Sequence, residues 1–122
     1  MRELIFRGKT KADGRWIISD SIAQYPDGDV HLYDEVTHTE PEVDPETVGQ
    51  YTGVTDKNGK NIFEGDIIKG SWNTILVVFY DDISTSYRVK TLSGSEREIS
   101  YYNGNGNHLE IIGNIHDNGD LL

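Results

Sequence analysis

The sequence predicts an all-β chain whose short strands fold back on one another into a small barrel. Thirteen glycines against three prolines indicate many turns and short strands. No long segment repeats its apolar residues every 3.6 positions, as an amphipathic helix would. The stretch from Gln50 to Gly70 contains Lys57-Asn58-Gly59-Lys60, which is a strong hairpin signal. The remaining elements are placed around this stretch.

The central stretch predicts two strands and two corners. Asn58 and Gly59 both tolerate a positive φ, so we expect them at the centre of a type I′ turn. Glu64-Gly65-Asp66 then interrupts the chain before a strand that starts at Ile67-Ile68. Small β-barrels enter a strand through corners of this kind.

The first third of the chain predicts short strands separated by turns. Glu3 to Arg7 is the opening strand, with Leu4 and Phe6 on one face. Residues 15–33 are interpreted as one hairpin, which turns at Pro26-Asp27-Gly28-Asp29 after a turn at residues 11–14.

An acidic segment follows the hairpin. Asp34 to Glu42 is polar and lacks periodicity, so a mobile loop is expected there. Asp44 and Pro45 then have the pattern of a helix start, with Asp as N-cap and Pro at the first position. Because Gly49 follows almost at once, we expect at most one short helical turn near residues 44–48.

The second half predicts longer strands. Six consecutive apolar residues, Ile75 to Tyr80, indicate a strand buried on both faces, covered either by the first fifty residues or by a second subunit. The other predicted elements are a strand over residues 67–72, a turn at Asp81-Asp82, a hairpin of 86–92 and 96–102, an exposed loop over 103–107, and a closing strand over 109–115 whose Ile111, Ile112 and Ile115 are core. The last six residues are expected to fray.

Composition restricts the classes of function. The chain has 122 residues and a net charge of −10, with ten acidic residues and no Lys or Arg between Trp16 and Asp56. This balance argues against direct binding to nucleic acid. The acidic block is interpreted as a solvated surface, and the alternatives are a face for a basic partner or a mimic of DNA charge. The absence of cysteine excludes disulfides and thiolate sites. No apolar run fits a signal peptide or a membrane span, so a soluble cytoplasmic protein is expected.

No motif in the sequence carries a recognisable chemistry. His31, Asp34 and His38 match no standard metal spacing, and His116 is interpreted as a surface residue. Gly104-Asn105-Gly106 lacks the strand and helix of a dinucleotide site. We therefore expect no enzymatic activity, no cofactor and no metal.

Several motifs carry a resemblance to a known family. QYTGVTDKNGKNIFEGDIIKG in the centre, FRGK near the start and LEIIGNIHDN near the end resemble the YopX family of phage and prophage proteins. Gly8-Lys9 departs from the Ala-Trp pair that family members often have after Phe-Arg. The resemblance implies an SH3-like barrel element over about residues 50–116, a bacterial host and no assigned activity. We expect one YopX-like domain over 1–122, with a hairpin and acidic loop over 1–48 that covers a barrel core over 49–117.

The polar residues that match the family define a candidate partner-binding set. Its members, together with two tyrosines of which one must face outward, are Gln50, Asp56, Lys57, Asn58, Glu64, Asp66, Tyr101 and Tyr102. The alternative for the polar members is structural, because Asp56 and Asn58 can cap the turn and Asp66 can hold the corner. Tyr51, Phe63 and Trp72 are predicted to be core residues.

Three functions are compatible with the sequence. The favoured one is a non-enzymatic, phage-encoded interaction module that binds a host or phage protein, through its acidic surface or through self-association, and forms a homo-oligomer. The second is a nucleic-acid-associated small barrel, which needs Arg2, Arg7, Lys9, Lys11 and Arg15 to converge with Lys57 and Lys60. The third is a small hydrolase or ligand-binding protein, which needs a deep pocket with histidines and carboxylates.

Overall fold

The computed structural model describes residues 3–102 and 108–122, apart from the side chains of Tyr101 and Tyr102. Within these residues the fold is all-β, and its helical segments are short 3-10 turns, so the predicted fold class is confirmed. The predicted loop over 103–107 lies outside the described residues. The chain divides into two compact units, Met1–Tyr51 and Thr52–Leu122.

The first unit contains two small antiparallel sheets. In one, β1 (Phe6–Lys9) pairs with β2 (Trp16–Ser19) on one side and with the start of β6 (Gly49–Thr55) on the other. The second sheet has the strand order β3 (Ile22–Gln24), β4 (Val30–Leu32) and β5 (Glu42–Val43). The hairpin predicted over 15–33 is present for β3 and β4, which pair around the expected turn at residues 26–29, but its start is wrong because β2 pairs with β1 instead. The Ser19 hydroxyl accepts the N–H of Ser21 at 3.0 Å where the chain leaves the first sheet, so β2 and β3 are separate strands.

Four side chains form the centre of the first unit: Ile17, Val30, Leu32 and Val43. Phe6 packs against them, but Leu4 is exposed and precedes β1, so the predicted opening strand begins too early. Gly8 lies directly over this core. A Cβ atom at that position would be 3.2 Å from both Leu32 Cδ1 and Val43 Cγ2. Any side chain at this position would force these core residues to shift by a few tenths of an ångström, because the sheet backbone approaches the core closely.

The acidic segment after β4 is more structured than the sequence suggested. Asp34 and Thr39 form an antiparallel bridge, and Asp34 is buried. A mobile loop over the whole of 34–42 is thus wrong in its boundaries, since Glu42 already belongs to β5. The predicted helical turn is confirmed as a 3-10 turn, Pro45–Thr47, in which the Asp44 side chain accepts the N–H of Glu46.

The second unit is built on one five-stranded antiparallel sheet that curls into a half-barrel. β7 (Asn61–Phe63) pairs with β6 and is not part of this sheet. The five strands of the sheet, in spatial order, are β11 (Glu96–Glu98), β10 (Ser86–Thr91), β9 (Ile75–Asp81), β8 (Asp66–Lys69) and β12 (Glu110–Asn114). The concave core contains nine buried residues: Val54, Ile62, Ile68, Leu76, Val78, Tyr87, Val89, Ile99 and Leu109.

Three burial predictions for this unit need correction. Along β9, Leu76 and Val78 are buried whereas Val77 is only half-buried, so the strand has one core face and not two. Ile115 lies beyond the end of β12 and is exposed. Trp72 is exposed as well, because β8 ends at Lys69 and the chain turns before the tryptophan. Tyr51 and Phe63 are buried as predicted.

The central hairpin has a different turn from the one predicted. The N–H of Gly59 donates to the carbonyl of Asp56 at 3.0 Å, and the N–H of Asp56 donates to the carbonyl of Lys60 at 2.8 Å. Gly59 has a φ of 80°, whereas Asn58 is not among the positive-φ residues. The turn is therefore type I followed by a left-handed glycine, which is the usual three-residue hairpin connection.

Replacing Gly59 with valine should lower the free energy of unfolding by about 1 kcal/mol or more, because a β-branched residue resists a positive φ. A Cβ atom at Gly59 would meet nothing within 4 Å, so only backbone strain is tested. Gly119→Val is the matched control, since that site is equally open and lacks a left-handed φ. Urea unfolding of both variants gives the comparison, and equal stabilities would contradict the assigned turn.

Candidate functional site

Asp56 joins the central hairpin to the last strand of the sheet. It is 5% exposed. Its Oδ1 atom accepts the backbone N–H groups of Asn58 and Lys60, both at 2.9 Å. Its Oδ2 atom accepts the N–H of Ile111 in β12 at 3.2 Å. The carboxylate is fully used in holding backbone, which supports the structural reading of this residue.

These hydrogen bonds also set the ionisation of Asp56. Burial would raise the pKa of the carboxyl, but the N–H groups of Lys60, Ile111 and Asn58 together outweigh it and lower the pKa. A carboxyl whose folded pKa is depressed contributes stability that is present above its unfolded pKa and is lost as the pH falls through the folded value.

The free energy of unfolding should therefore decrease as the pH falls below about 4, the unfolded pKa of aspartate. Asp56→Asn should make this decrease smaller, because its amide does not titrate. Asp29→Asn is the control. Burial raises the pKa of Asp29, so replacing this carboxyl cannot make the decrease in the free energy of unfolding at low pH any smaller. Thermal melts between neutral and acidic pH measure the effect. Parallel pH profiles for wild type and Asp56→Asn would refute it.

Asp66 holds the second corner of the central stretch. It is 1% exposed, and its Oδ2 atom accepts the N–H of Phe63 at 2.8 Å. Gly65 between them has a φ of 92° and donates its N–H to the carbonyl of Val78 in β9 at 2.9 Å. The predicted corner is thus present, and the Asp66 carboxylate lies inside it where a partner protein has no access.

The other members of the predicted partner-binding set are dispersed. Lys57 Nζ lies 3.6 Å from Glu110 Oε2. Asn58 is exposed at the hairpin tip, and Glu64 is half-buried at the corner. Gln50 is half-buried in β6 and belongs to the first unit. The side chains of Tyr101 and Tyr102 lie outside the described residues. The binding role of the set stays a prediction.

The cations that a nucleic-acid site would need are largely engaged. Lys11 Nζ lies 3.0 Å from Glu42 Oε2, and Arg15 Nη2 lies 2.9 Å from Asp34 Oδ2. Arg7 and Lys9 both stack over the ring of Trp16, at 4.9 and 5.7 Å from its centroid. No observation in the described residues favours the nucleic-acid hypothesis over the interaction module.

The turn between β8 and β9 exposes a tryptophan that the sequence did not identify as a candidate functional residue. Trp72 is 98% exposed and has a φ of 61°, and Asn73 has a φ of 57°. The turn is closed by hydrogen bonds from Gly70 N–H to the Thr74 carbonyl at 2.8 Å and from the Thr74 hydroxyl to the Ser71 carbonyl at 2.8 Å. Non-glycine residues in this conformation are strained and cluster at functional sites.

Trp72 stands at the rim of an open cavity of about 320 Å³, here named the Trp72 groove. The turn forms one wall and the β10–β11 hairpin the other, with these lining residues: Gly70, Ser71, Trp72, Thr74, Leu76, Val89, Thr91, Ser95, Glu96 and Arg97. Buried Leu76 and Val89 supply an apolar floor, and hydroxyl groups surround it. Such a groove accepts an apolar group that has a polar edge.

Within residues 3–102 and 108–122, no group of three or more histidines and carboxylates is arranged to hold a metal ion. None of the helices there has the length and apolar character needed to cross a membrane.

The half-barrel sheet and its two tight corners define a small all-β protein. A sequence model of the YopX family, described as YopX protein, matches residues 5–122. The chain therefore belongs to the YopX family, and the resemblance drawn from the central motif is confirmed. No curated protein matches the chain.

Proposed function

We propose that this chain is a non-enzymatic interaction module, encoded by a phage or prophage, that acts by binding another protein chain in the cytoplasm of a bacterial host. Membership of the YopX family supports the phage or prophage setting. The observation that carries the proposed activity is Trp72, which is 98% exposed at the rim of an open groove. Tryptophan is among the residues most enriched at the energetic centres of protein interfaces.

The presentation of Trp72 favours binding over an incidental surface position. Its turn is fixed by backbone and hydroxyl hydrogen bonds between Gly70 and Thr74, so little conformational freedom of the backbone remains to be lost on binding. Because the Trp72 side chain is 98% exposed, it buries almost no surface within its own unit, and it can bury its indole ring only by contact with a partner. A rigid aromatic anchor beside an apolar floor is the usual centre of a protein contact.

Photo-crosslinking in bacterial cells tests this function directly. Trp72 is replaced by the photo-reactive p-benzoyl-phenylalanine, and Ile83 is replaced likewise as the matched control. Ile83 is 94% exposed, but it lies in the β9–β10 turn and does not line the groove. We expect a discrete protein adduct from position 72 and none from position 83. No adduct at 72, or the same adducts from both positions, would overturn the proposal.

A further inference from the structure

The second unit has both a projecting aromatic side chain, Trp72, and a cavity large enough to hold such a side chain. Trp72 is at the rim of the Trp72 groove, yet its 98% exposure shows that it does not fill it. The hydrogen bonds of the Gly70–Thr74 turn hold the indole outward. The groove of about 320 Å³ is near the lower limit of small-molecule sites and admits about one large aromatic side chain.

The chemistry of the groove fits an indole. Leu76 and Val89 provide an apolar floor for the ring, and Thr91, Ser95 and Glu96 place oxygen acceptors around it. A buried tryptophan needs such an acceptor for its Nε1–H group.

The charged residues that line the Trp72 groove do not favour a basic partner. The charged residues that line the groove are Glu96 and Arg97, of opposite sign, although the chain as a whole has a net charge of −10. A groove adapted to a basic peptide would concentrate carboxylates at its rim. The local balance instead lets two acidic chains approach through this surface.

We propose that the Trp72 groove binds Trp72 of a second copy of this chain, so that two copies exchange tryptophans about a two-fold axis. This inference rests on the proposed function and names its partner. In a two-fold interface the same surface is used by both copies, so projection and cavity must lie on one surface, as they do here. A specific interface buries roughly 1,000 Å² of surface. Two buried indoles would contribute roughly 300–500 Å² of that area, and the exposed Leu92 at the tip of the β10–β11 hairpin would add to it.

Sedimentation velocity of the purified chain over a range of concentrations tests the exchange. We expect a dimer whose dissociation constant rises about a hundredfold or more in Trp72→Ser, because each interface loses two anchors. Ile83→Ser, which removes an equally exposed apolar side chain elsewhere, should leave the dimer unchanged. Added salt should tighten the dimer, since it screens the repulsion between two acidic chains.

A mixing experiment tests the pairing itself. Ser95→Phe blocks the cavity and keeps Trp72, whereas Trp72→Ser keeps the cavity and loses the anchor; circular dichroism checks that both variants fold. Neither variant should dimerise alone. Their mixture should form a heterodimer of intermediate affinity, because one anchor still meets one open cavity.

The outcomes separate this inference from the proposed function. A monomer at every concentration, or a dimer unaffected by Trp72→Ser, overturns the tryptophan exchange. If position 72 then still crosslinks to a different protein in cells, the interaction module stands and the groove serves that protein. If position 72 crosslinks to nothing, both proposals fail together.

Discussion

Asp56→Ala should lower the free energy of unfolding by about 3 kcal/mol or more. The substitution removes a charged acceptor from the N–H groups of Asn58, Lys60 and Ile111 at once. The bond to Ile111 joins residues 55 positions apart, so its loss also removes one of the contacts that hold β12 to the central turn. Hydrogen bonds to charged groups contribute more than neutral ones, and a buried donor left without an acceptor adds a further cost.

Asp81→Ala is the control for this prediction. The Asp81 side chain also accepts N–H groups in a turn, from Ile83 and Ser84, both at 3.3 Å, but these bonds are local and exposed. Its replacement should cost about 1 kcal/mol or less. Urea denaturation followed by tryptophan fluorescence measures both variants. If the two substitutions have equal effects, the tie between Asp56 and β12 is not what stabilises the unit.

Gly8→Val should destabilise the first unit by about 3 kcal/mol, through overpacking. The new Cβ would already be 3.2 Å from the methyl carbons Leu32 Cδ1 and Val43 Cγ2, and valine adds two further methyl groups. Both neighbours are fully buried, so neither can move into solvent to make room. The free energy of unfolding again gives the measurement.

A double-mutant cycle identifies the cause of that loss. Val43→Ala removes one of the contacting methyl groups, so Gly8→Val should cost at least about 1 kcal/mol less in that background than in the wild type. Strict additivity of the Gly8 and Val43 substitutions would rule out overpacking.

The turns of this chain could be predicted from sequence because glycine, proline and asparagine determine backbone conformation locally. Gly28, at a φ of 96°, and Gly65, at 92°, occupy the corners expected of them. The type of the central turn was misassigned, since Asn58 tolerates a positive φ without requiring one. Local chemistry permits several turns at such a residue, and the pairing of the flanking strands selects among them.

Strand partners and burial depended on contacts that the sequence does not display. β2 pairs backward with β1, although its residues alternate well enough to continue into β3. Trp72 was assigned to the core because tryptophan is usually buried, but the turn at Gly70 removes it from the sheet. The groove beside it requires the β10–β11 hairpin to fold near that turn, which no local pattern encodes.

The pairing of β8 with β12 has a consequence for synthesis. β8 ends at Lys69 and its partner begins at Glu110, so the sheet cannot close on that side until the last strand has left the ribosome. During that interval the nascent chain presents an apolar strand edge formed by Ile67 and Ile68, to which other chains can add. Pairing between strands this far apart in sequence is slow, so we expect chaperones to be most needed before β12 is added.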